Sequence, residues 1–129
     1  MAIAKSLEAS GQYGEAINNF KSVVQLNKAA LSAEARYEIA FSWFQLNKLS
    51  DAEKAAFETV NKSGSYDYWI TKAYILLGDI YYKQKDYFNA KATYQSVVDN
   101  TSDAELKSEA QQKLDRVTEE DSKSSKVGQ

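Results

Sequence analysis

Four sets of positions recur along this chain at the same two spacings, 36 and then 38 residues. Two sets hold small residues and two hold large ones: Ala4, Ala40 and Gly78; Ala16, Ala52 and Ala90; Leu7, Trp43 and Tyr81; Tyr13, Leu49 and Tyr87. The period of a single helix does not keep four sets in register over such distances, so the chain contains an internal repeat. In repeats of this length, each copy buries its apolar surface only by stacking on its neighbours.

Composition and apolar spacing indicate that the repeated element is helical. The 129 residues include no Pro and only five Gly, and they are rich in Ala, Lys, Glu, Gln and Leu, which favour helices. Ile39, Ala40, Trp43 and Leu46 follow the 3.6-residue period of a buried helix face. Together with the polar breaks between such segments, the pattern predicts helices at about 2–10, 14–28, 32–46, 51–61, 67–84, 87–100 and 103–119.

Local signals indicate where some of these helices begin and where helical structure ends. Ser50 with Glu53, and Ser102 with Glu105, are typical of a capping box, in which a hydroxyl and an acid three residues later satisfy backbone amides. The residues after Glu120 are polar, and they predict a frayed, flexible tail at 121–129.

The last repeat carries the clearest motif of the chain. It reads Tyr74-x-x-Leu77-Gly78-x-x-Tyr81, followed by Ala90-x-x-x-Tyr94. This motif resembles the tetratricopeptide repeat, whose pattern is W-x2-L-G-x2-Y and then A-x3-F on a unit of 34 residues. The small residues of such a motif let the two helices of a pair approach, while the large ones fill the space beside them.

The other copies depart from the family pattern in identifiable ways. Ser102 stands where the family usually has Pro, and in the middle repeat Ala56 replaces a large residue. The first repeat begins late, at Ile3, which favours a fragment of a longer array. The last repeat is similar to the C-terminal repeats of larger bacterial members of the family.

The resemblance covers roughly residues 2–104, and it implies an all-α fold: a right-handed superhelix of three helix-turn-helix repeats. The repeats lie at about 1–31, 32–66 and 67–102. The helix at 103–119 carries Ala110, Leu114 and Val117 on one stripe, which suits a cap on the last repeat. We therefore expect a single domain over 1–120.

Composition also argues against several kinds of chemistry. The absence of Cys and His excludes thiol nucleophiles, imidazole bases, disulfides and the usual zinc and haem ligands. A formal charge of −2 with interspersed signs argues against nucleic acid and anionic lipid as partners. No apolar run is long enough to span a membrane, and the N-terminus lacks the apolar region of a secretory signal. We expect a soluble protein without catalytic activity, cofactor or bound metal.

Some members of the family hold a C-terminal carboxylate in a clamp of Lys, Asn and Arg side chains. The resemblance places Met1 and Lys5 at the clamp positions of the first repeat, Glu38 at that of the second, and Lys72 and Leu76 at those of the third. Glu38 would repel a carboxylate, so this kind of recognition is not expected here.

The resemblance implies instead a protein-interaction module that binds a peptide or protein segment on its concave face. Two trios at spacings of four and three residues, each a stripe on one helix, predict the contact surface: Tyr37, Phe41 and Phe44; Ile75, Asp79 and Tyr82. Charged residues border it, with Glu38 and Lys72 assigned to the partner-binding set and Glu34 and Lys83 beside them. In the alternative interpretation, Phe41 and Phe44 pack against the first repeat and have a structural role.

Two other functions stay open at this point. The chain is also interpretable as the C-terminal part of a larger array that docks on the same chain or self-associates as a homo-oligomer. Its nine Tyr and two Trp further allow an aromatic carbohydrate-binding module. Aromatic residues at repeat positions are assigned to the core, however: Tyr13, Trp43, Tyr74, Tyr81, Tyr87 and Tyr94.

Three further aromatic residues, Tyr66, Tyr68 and Trp69, lie in the longer spacing between the second and third repeats. We favour the interpretation that they fill the gap opened there, over the alternative of an exposed binding knob.

Overall fold

The computed structural model describes residues 1–25 and 29–127. Within them the chain forms α-helices and no strand, so the predicted all-α fold is confirmed. The helices are α1 Ala2–Ala9, α2 Tyr13–Gln25, α3 Ala29–Gln45, α4 Leu49–Lys62, α5 Asp67–Lys83, α6 Tyr87–Asn100 and α7 Ala104–Val127. The predicted end of the second helix, at 26–28, lies outside the described residues.

Helix α7 continues to Val127, eight residues beyond the end at 119 that the sequence predicts. The flexibility of the tail at 121–129 stays a prediction. Side chains just beyond the predicted end are tied to other helices. The Tyr82 hydroxyl donates to Glu120 Oε1 at 2.6 Å, and Lys91 Nζ lies 2.5 Å from Asp121 Oδ2. These contacts join α7 to α5 and α6, so the polar sequence stays helical past Glu119.

Neither predicted capping box forms. Helix α4 begins at Leu49, which places Ser50 inside its first turn, and the N-cap residue Lys48 makes no capping hydrogen bond with its side chain. At α7 the capping group is Asp103, whose Oδ1 accepts from the Leu106 amide at 3.0 Å. An aspartate is as good a cap as a serine, and here it stands directly before the first helical residue.

Three turns of the same kind connect the two helices of each repeat. The second residue after each first helix has a left-handed backbone, with φ of 84° at Gly11, 59° at Asn47 and 62° at Lys85. These residues are again 36 and 38 positions apart, so the turns follow the repeat. In each turn the next amide donates back to the large residue of the repeat pattern, at 2.8 Å to Leu7, 3.0 Å to Trp43 and 2.9 Å to Tyr81. This is a Schellman ending, which satisfies the last carbonyls of the first helix.

The chain divides into two compact units, Met1–Ala73 and Tyr74–Gln129, and α5 crosses the boundary. In the first unit, α1 packs on α2, α2 on α3 and α3 on α4. A core of small and large apolar side chains joins the first three helices: Ala4, Ala16, Phe20, Val23 and Ala35. Leu7 and Ile39 pack against its edge.

The second compact unit has its own core on α5, α6 and α7. Its largest fully buried side chain is Tyr94, and the α7 residues Leu106, Ala110 and Val117 are buried beside it, with Leu114 packed on the cluster. Gly78 leaves room for the Tyr94 ring: a Cβ at position 78 would lie 2.4 Å from Tyr94 Cε1. The small residue of the repeat motif is therefore required by an aromatic ring on the facing helix.

Replacing Lys85 by Gly tests the left-handed turns. Lys85 holds a positive φ that only glycine adopts without strain, so Lys85→Gly should raise the free energy of unfolding by about 0.5–1 kcal/mol. Urea denaturation provides the measurement. Lys85→Ala removes the same side chain but keeps the strain, so it serves as the control and should bring no such gain. Equal stability of the two variants would contradict the turn assignment.

Replacing Gly78 by Ala tests the close approach to Tyr94. The added methyl group has no room, so Gly78→Ala should lower the free energy of unfolding by about 1–3 kcal/mol. Gly14 is the matched control, because it is also helical and a Cβ there would meet no atom within 4 Å. Gly14→Ala should be neutral or stabilise by up to about 1 kcal/mol. If the two alanine variants unfold at the same urea concentration, the packing assignment fails.

Candidate functional site

Two of the predicted partner-binding residues on α3 belong to an aromatic cluster in the first compact unit. Tyr37 stacks on Phe41 with ring centroids 6.3 Å apart, and it contacts Trp69 at 5.6 Å. Trp69 in turn meets the edge of Tyr68 at 4.9 Å. We call these four residues, together with Lys72, the aromatic surface. Its rings come from α3 and from the first turn of α5, two elements far apart in sequence.

Lys72, also predicted to bind a partner, connects the two ends of the aromatic surface. Its Nζ lies 5.2 Å from the ring centroid of Tyr37 and 5.9 Å from that of Tyr68. An ammonium group near two ring faces is attracted by their quadrupoles, which limits the motion of the lysine and of both rings. Phe44, the last of the predicted trio on α3, is half-buried.

The favoured interpretation of Tyr66, Tyr68 and Trp69 as a gap filling is wrong for the two tyrosines. Tyr68 is 48% exposed and Tyr66 is 38% exposed, whereas Trp69 is half-buried. Helix α5 begins at Asp67, so Tyr68 and Trp69 are consecutive helical residues that point about 100° apart. Only one of them therefore faces Tyr37. The prediction that Tyr74 belongs to the core is also wrong, because Tyr74 is 39% exposed.

Glu38, another predicted contact residue, lies in a cluster of charged side chains between α1 and α3. Its carboxyl group is hydrogen-bonded to that of Glu8, and the Ser42 hydroxyl donates to Glu8 Oε2 at 3.4 Å. Lys5 pairs with Glu34 at the side of this cluster. Burial, the bond to Glu8 and the nearby carboxylates raise the pKa of Glu38 to about 8. The bond to Glu34 raises the pKa of Lys5 above its ordinary value.

The three predicted residues in the second compact unit take part in its internal contacts. Ile75 is 2% exposed and belongs to the core. Asp79 Oδ1 accepts from the Tyr94 hydroxyl at 2.5 Å, and its Oδ2 accepts from Lys113 Nζ at 2.9 Å. Burial raises the pKa of Asp79, while the charge of Lys113 and the two hydrogen bonds act in the opposite direction. Asp79 therefore joins α5 to both α6 and α7.

Tyr82 is half-buried and contacts α7. Arg116 lies over its ring, with Cζ 4.7 Å from the centroid, and the Tyr87 ring is 6.0 Å away. Its hydrogen bond to Glu120 is the main cause that raises the pKa of Tyr82. Repeat spacing places Tyr82 beside the motif residues, but it gives no signal for Arg116 and Glu120, because α7 has no counterpart in the repeat.

Neither a metal site nor a membrane-spanning helix accompanies the aromatic surface in the part of the chain that the structure describes. No group of three or more acidic side chains within 1–25 and 29–127 is arranged to hold a metal ion. Over the same residues, no helix has both the length and the apolar composition of a membrane span. What the geometry provides is a surface of aromatic rings, partly open to solvent, with one cation among them.

The pH dependence of stability tests the carboxyl pair. Because the pKa of Glu38 is raised in the folded protein, its contribution is fully present below pH 4.5 and is lost as the pH rises through about 8. Glu38→Gln stays neutral at every pH. It should flatten the fall in unfolding free energy over this window and stabilise the protein at pH 8, as measured by urea denaturation at several pH values.

The control for this measurement is Glu15→Gln, which removes one exposed carboxylate from the same compact unit. It should leave the pH profile of the parent in place. A profile that Glu38→Gln leaves unchanged would show that Glu38 does not hold its proton in the folded state.

Comparison with known families agrees with the geometry of the helix pairs. One tetratricopeptide repeat profile matches residues 1–67, and a second matches residues 72–101. No curated protein matches the chain. The matched residues contain all three left-handed turns and all the recurring small residues of the helix pairs. The chain therefore belongs to the tetratricopeptide repeat family.

Proposed function

We propose that this chain is a non-catalytic protein-binding module, and that the aromatic surface of its first compact unit contacts the partner. Tetratricopeptide repeats generally mediate protein–protein interaction. The observation that carries the proposal is the exposure of Tyr68, which stays 48% open to solvent although it contacts both Trp69 and Lys72. Exposed aromatic rings held by their neighbours are typical of interface anchors.

The arrangement of the aromatic surface favours a peptide segment with apolar anchors. Tyr37 and Trp69 are tilted by 38° and are largely or partly buried, so they form a firm base. The ring plane of Tyr68 is perpendicular to that of Trp69, at 89°, and the Tyr68 ring is partly exposed to solvent beside it. An apolar side chain that fills this angle loses contact with water at little cost in protein conformational entropy, because the rings are already held in position.

The proposal differs in part from the set of residues that the sequence predicted. It keeps Tyr37, Phe41 and Lys72, with Phe44 farther along the same stripe of α3, and it adds Tyr68 and Trp69. It leaves out Ile75 and Asp79, which are used by the interior of the second compact unit. Glu38 is left out as an anchor because its carboxyl group is engaged by Glu8.

A peptide library displayed on phage provides the test. Peptides selected on the full chain are synthesised, and their affinities for the parent and for Tyr68→Ser are compared. Loss of a central aromatic anchor typically weakens binding by about tenfold or more, and we expect that loss here. Phe88→Ser is the matched control, because Phe88 is an 80% exposed aromatic residue in the second compact unit. It should bind as the parent does.

The melting temperature of each variant is measured beside its affinity, since both replaced rings are exposed and neither change should unfold the protein. If Phe88→Ser weakens the selected peptides and Tyr68→Ser does not, the aromatic surface is not the contact site. Light scattering tests the structural alternative. A parent dimer that Tyr68→Ser converts to a monomer would make a second copy of the chain the partner of this surface.

A further inference from the structure

A cleft of about 400 Å³ lies between α2, α3 and α4 in the first compact unit. Ile39 and Trp43 of α3 form its apolar floor, and Val24 of α2 adds to it. Helix α4 provides the opposite wall from Asp51 to Lys62, which is about 17 Å along the helix axis. That length corresponds to about five residues of extended peptide. The cleft therefore has the dimensions of a short polypeptide segment.

This cleft is separate from the aromatic surface. Its floor residues and Arg36 lie at spacings of three and four on α3, whereas Tyr37 and Phe41 lie roughly 150° around the same helix. Since the two stripes face different directions, two ligands are able to bind to α3 without overlap.

The charges of the cleft are mainly positive. Four cations line it, Lys21, Arg36, Lys54 and Lys62, against the two carboxylates Asp51 and Glu58. The excess is opposite in sign to the formal charge of the chain, which is −2. Across residues 1–25 and 29–127, none of these four cations forms an ion pair with a carboxylate. Their charges are therefore available to a ligand.

Two of the cations are already held in position. Arg36 Nη1 donates to the main-chain oxygen of Lys62 at 3.0 Å, which fixes the guanidinium group at the end of α4 and leaves its other N–H groups unused by that bond. Lys21 Nζ lies 6.0 Å from the ring centroid of Trp43, so its ammonium group stands above the floor of the cleft.

We propose that this cleft is a second binding site, which takes an acidic segment of a partner polypeptide with one apolar side chain. The apolar side chain packs on Trp43 and Ile39, while the flanking carboxylates meet Lys21 and Lys54 on the two walls. Asp51 and Glu58 alternate with the lysines along α4, so a ligand with a uniform row of phosphates would meet repulsion at two points. A peptide avoids this repulsion, because neutral side chains can stand opposite Asp51 and Glu58 while its carboxylates face the lysines.

The two tryptophans allow the two proposed sites to be observed separately. Trp43 and Trp69 are the only Trp residues of the chain. In the variant Trp69→Phe, the remaining indole reports from the cleft, and in Trp43→Phe it reports from the aromatic surface. The probe is a synthetic peptide with a central Leu flanked on each side by two Glu residues. Control peptides carry Gln or Lys in place of Glu.

We expect the acidic peptide to change the fluorescence of the full-length Trp69→Phe variant in a saturable way that weakens with added salt. Adding Lys21→Gln and Lys54→Gln to it should weaken the affinity about five- to tenfold, because two charge contacts are lost. Lys107→Gln, which removes one exposed lysine of α7, is the control and should bind as the parent does. Circular dichroism checks that each variant stays folded.

Three results would overturn the proposal: equal binding of the Gln peptide, unchanged affinity in the double lysine variant, or an equal response to inorganic phosphate or a single-stranded oligonucleotide. Failure of this site and failure of the aromatic surface are distinguishable. If the cleft does not bind, the acidic peptide leaves the fluorescence of Trp43 unchanged. If the aromatic surface does not bind, the phage-selected peptides have the same affinity for Tyr68→Ser as for the parent.

Discussion

The close approach of the two helices in each repeat is the constraint on which the rest of this structure depends. The small residues that recur in the sequence are buried at the crossings, with Ala4, Ala16, Ala40, Ala52 and Ala90 all at most 1% exposed. At Gly78 even a methyl group would collide with the Tyr94 ring. Larger side chains would push the paired helices apart, and the aromatic rings beside them would lose the contacts that hold them.

The three turns set the position of the second helix in each pair. Each Schellman ending directs the chain back at the same point of the repeat, so the second helix starts in the same register relative to the first. Helix α3 thereby lies between α2 and α4 in the first compact unit and has contacts on both. It is the helix that contributes both to the aromatic surface and to the floor of the basic cleft.

Two charged residues that the sequence predicts to contact a partner form internal contacts instead. Asp79 and Glu38 were both predicted at the contact surface, since polar residues outside the repeat motif have no assigned role in packing. In the folded chain, Asp79 holds α6 and α7 through Tyr94 and Lys113, and Glu38 is bonded to Glu8. The partners of Asp79 lie 15 residues away at Tyr94 and 34 residues away at Lys113, and no local sequence pattern identifies them.

The sequence by itself determined the helices, the repeat and the small residues at the crossings, because helix propensity and close packing act on residues at regular spacings. It predicts Tyr37, Phe41 and Lys72 as members of one contact surface, but it does not predict that they meet Tyr68 and Trp69. Only the tertiary structure decided that contact, the helical end of α7, the carboxyl pair of Glu8 and Glu38, and the basic cleft. These features depend on side chains that distant elements bring together, and their energies come from burial and from charges acting across space, which leave no period in the sequence.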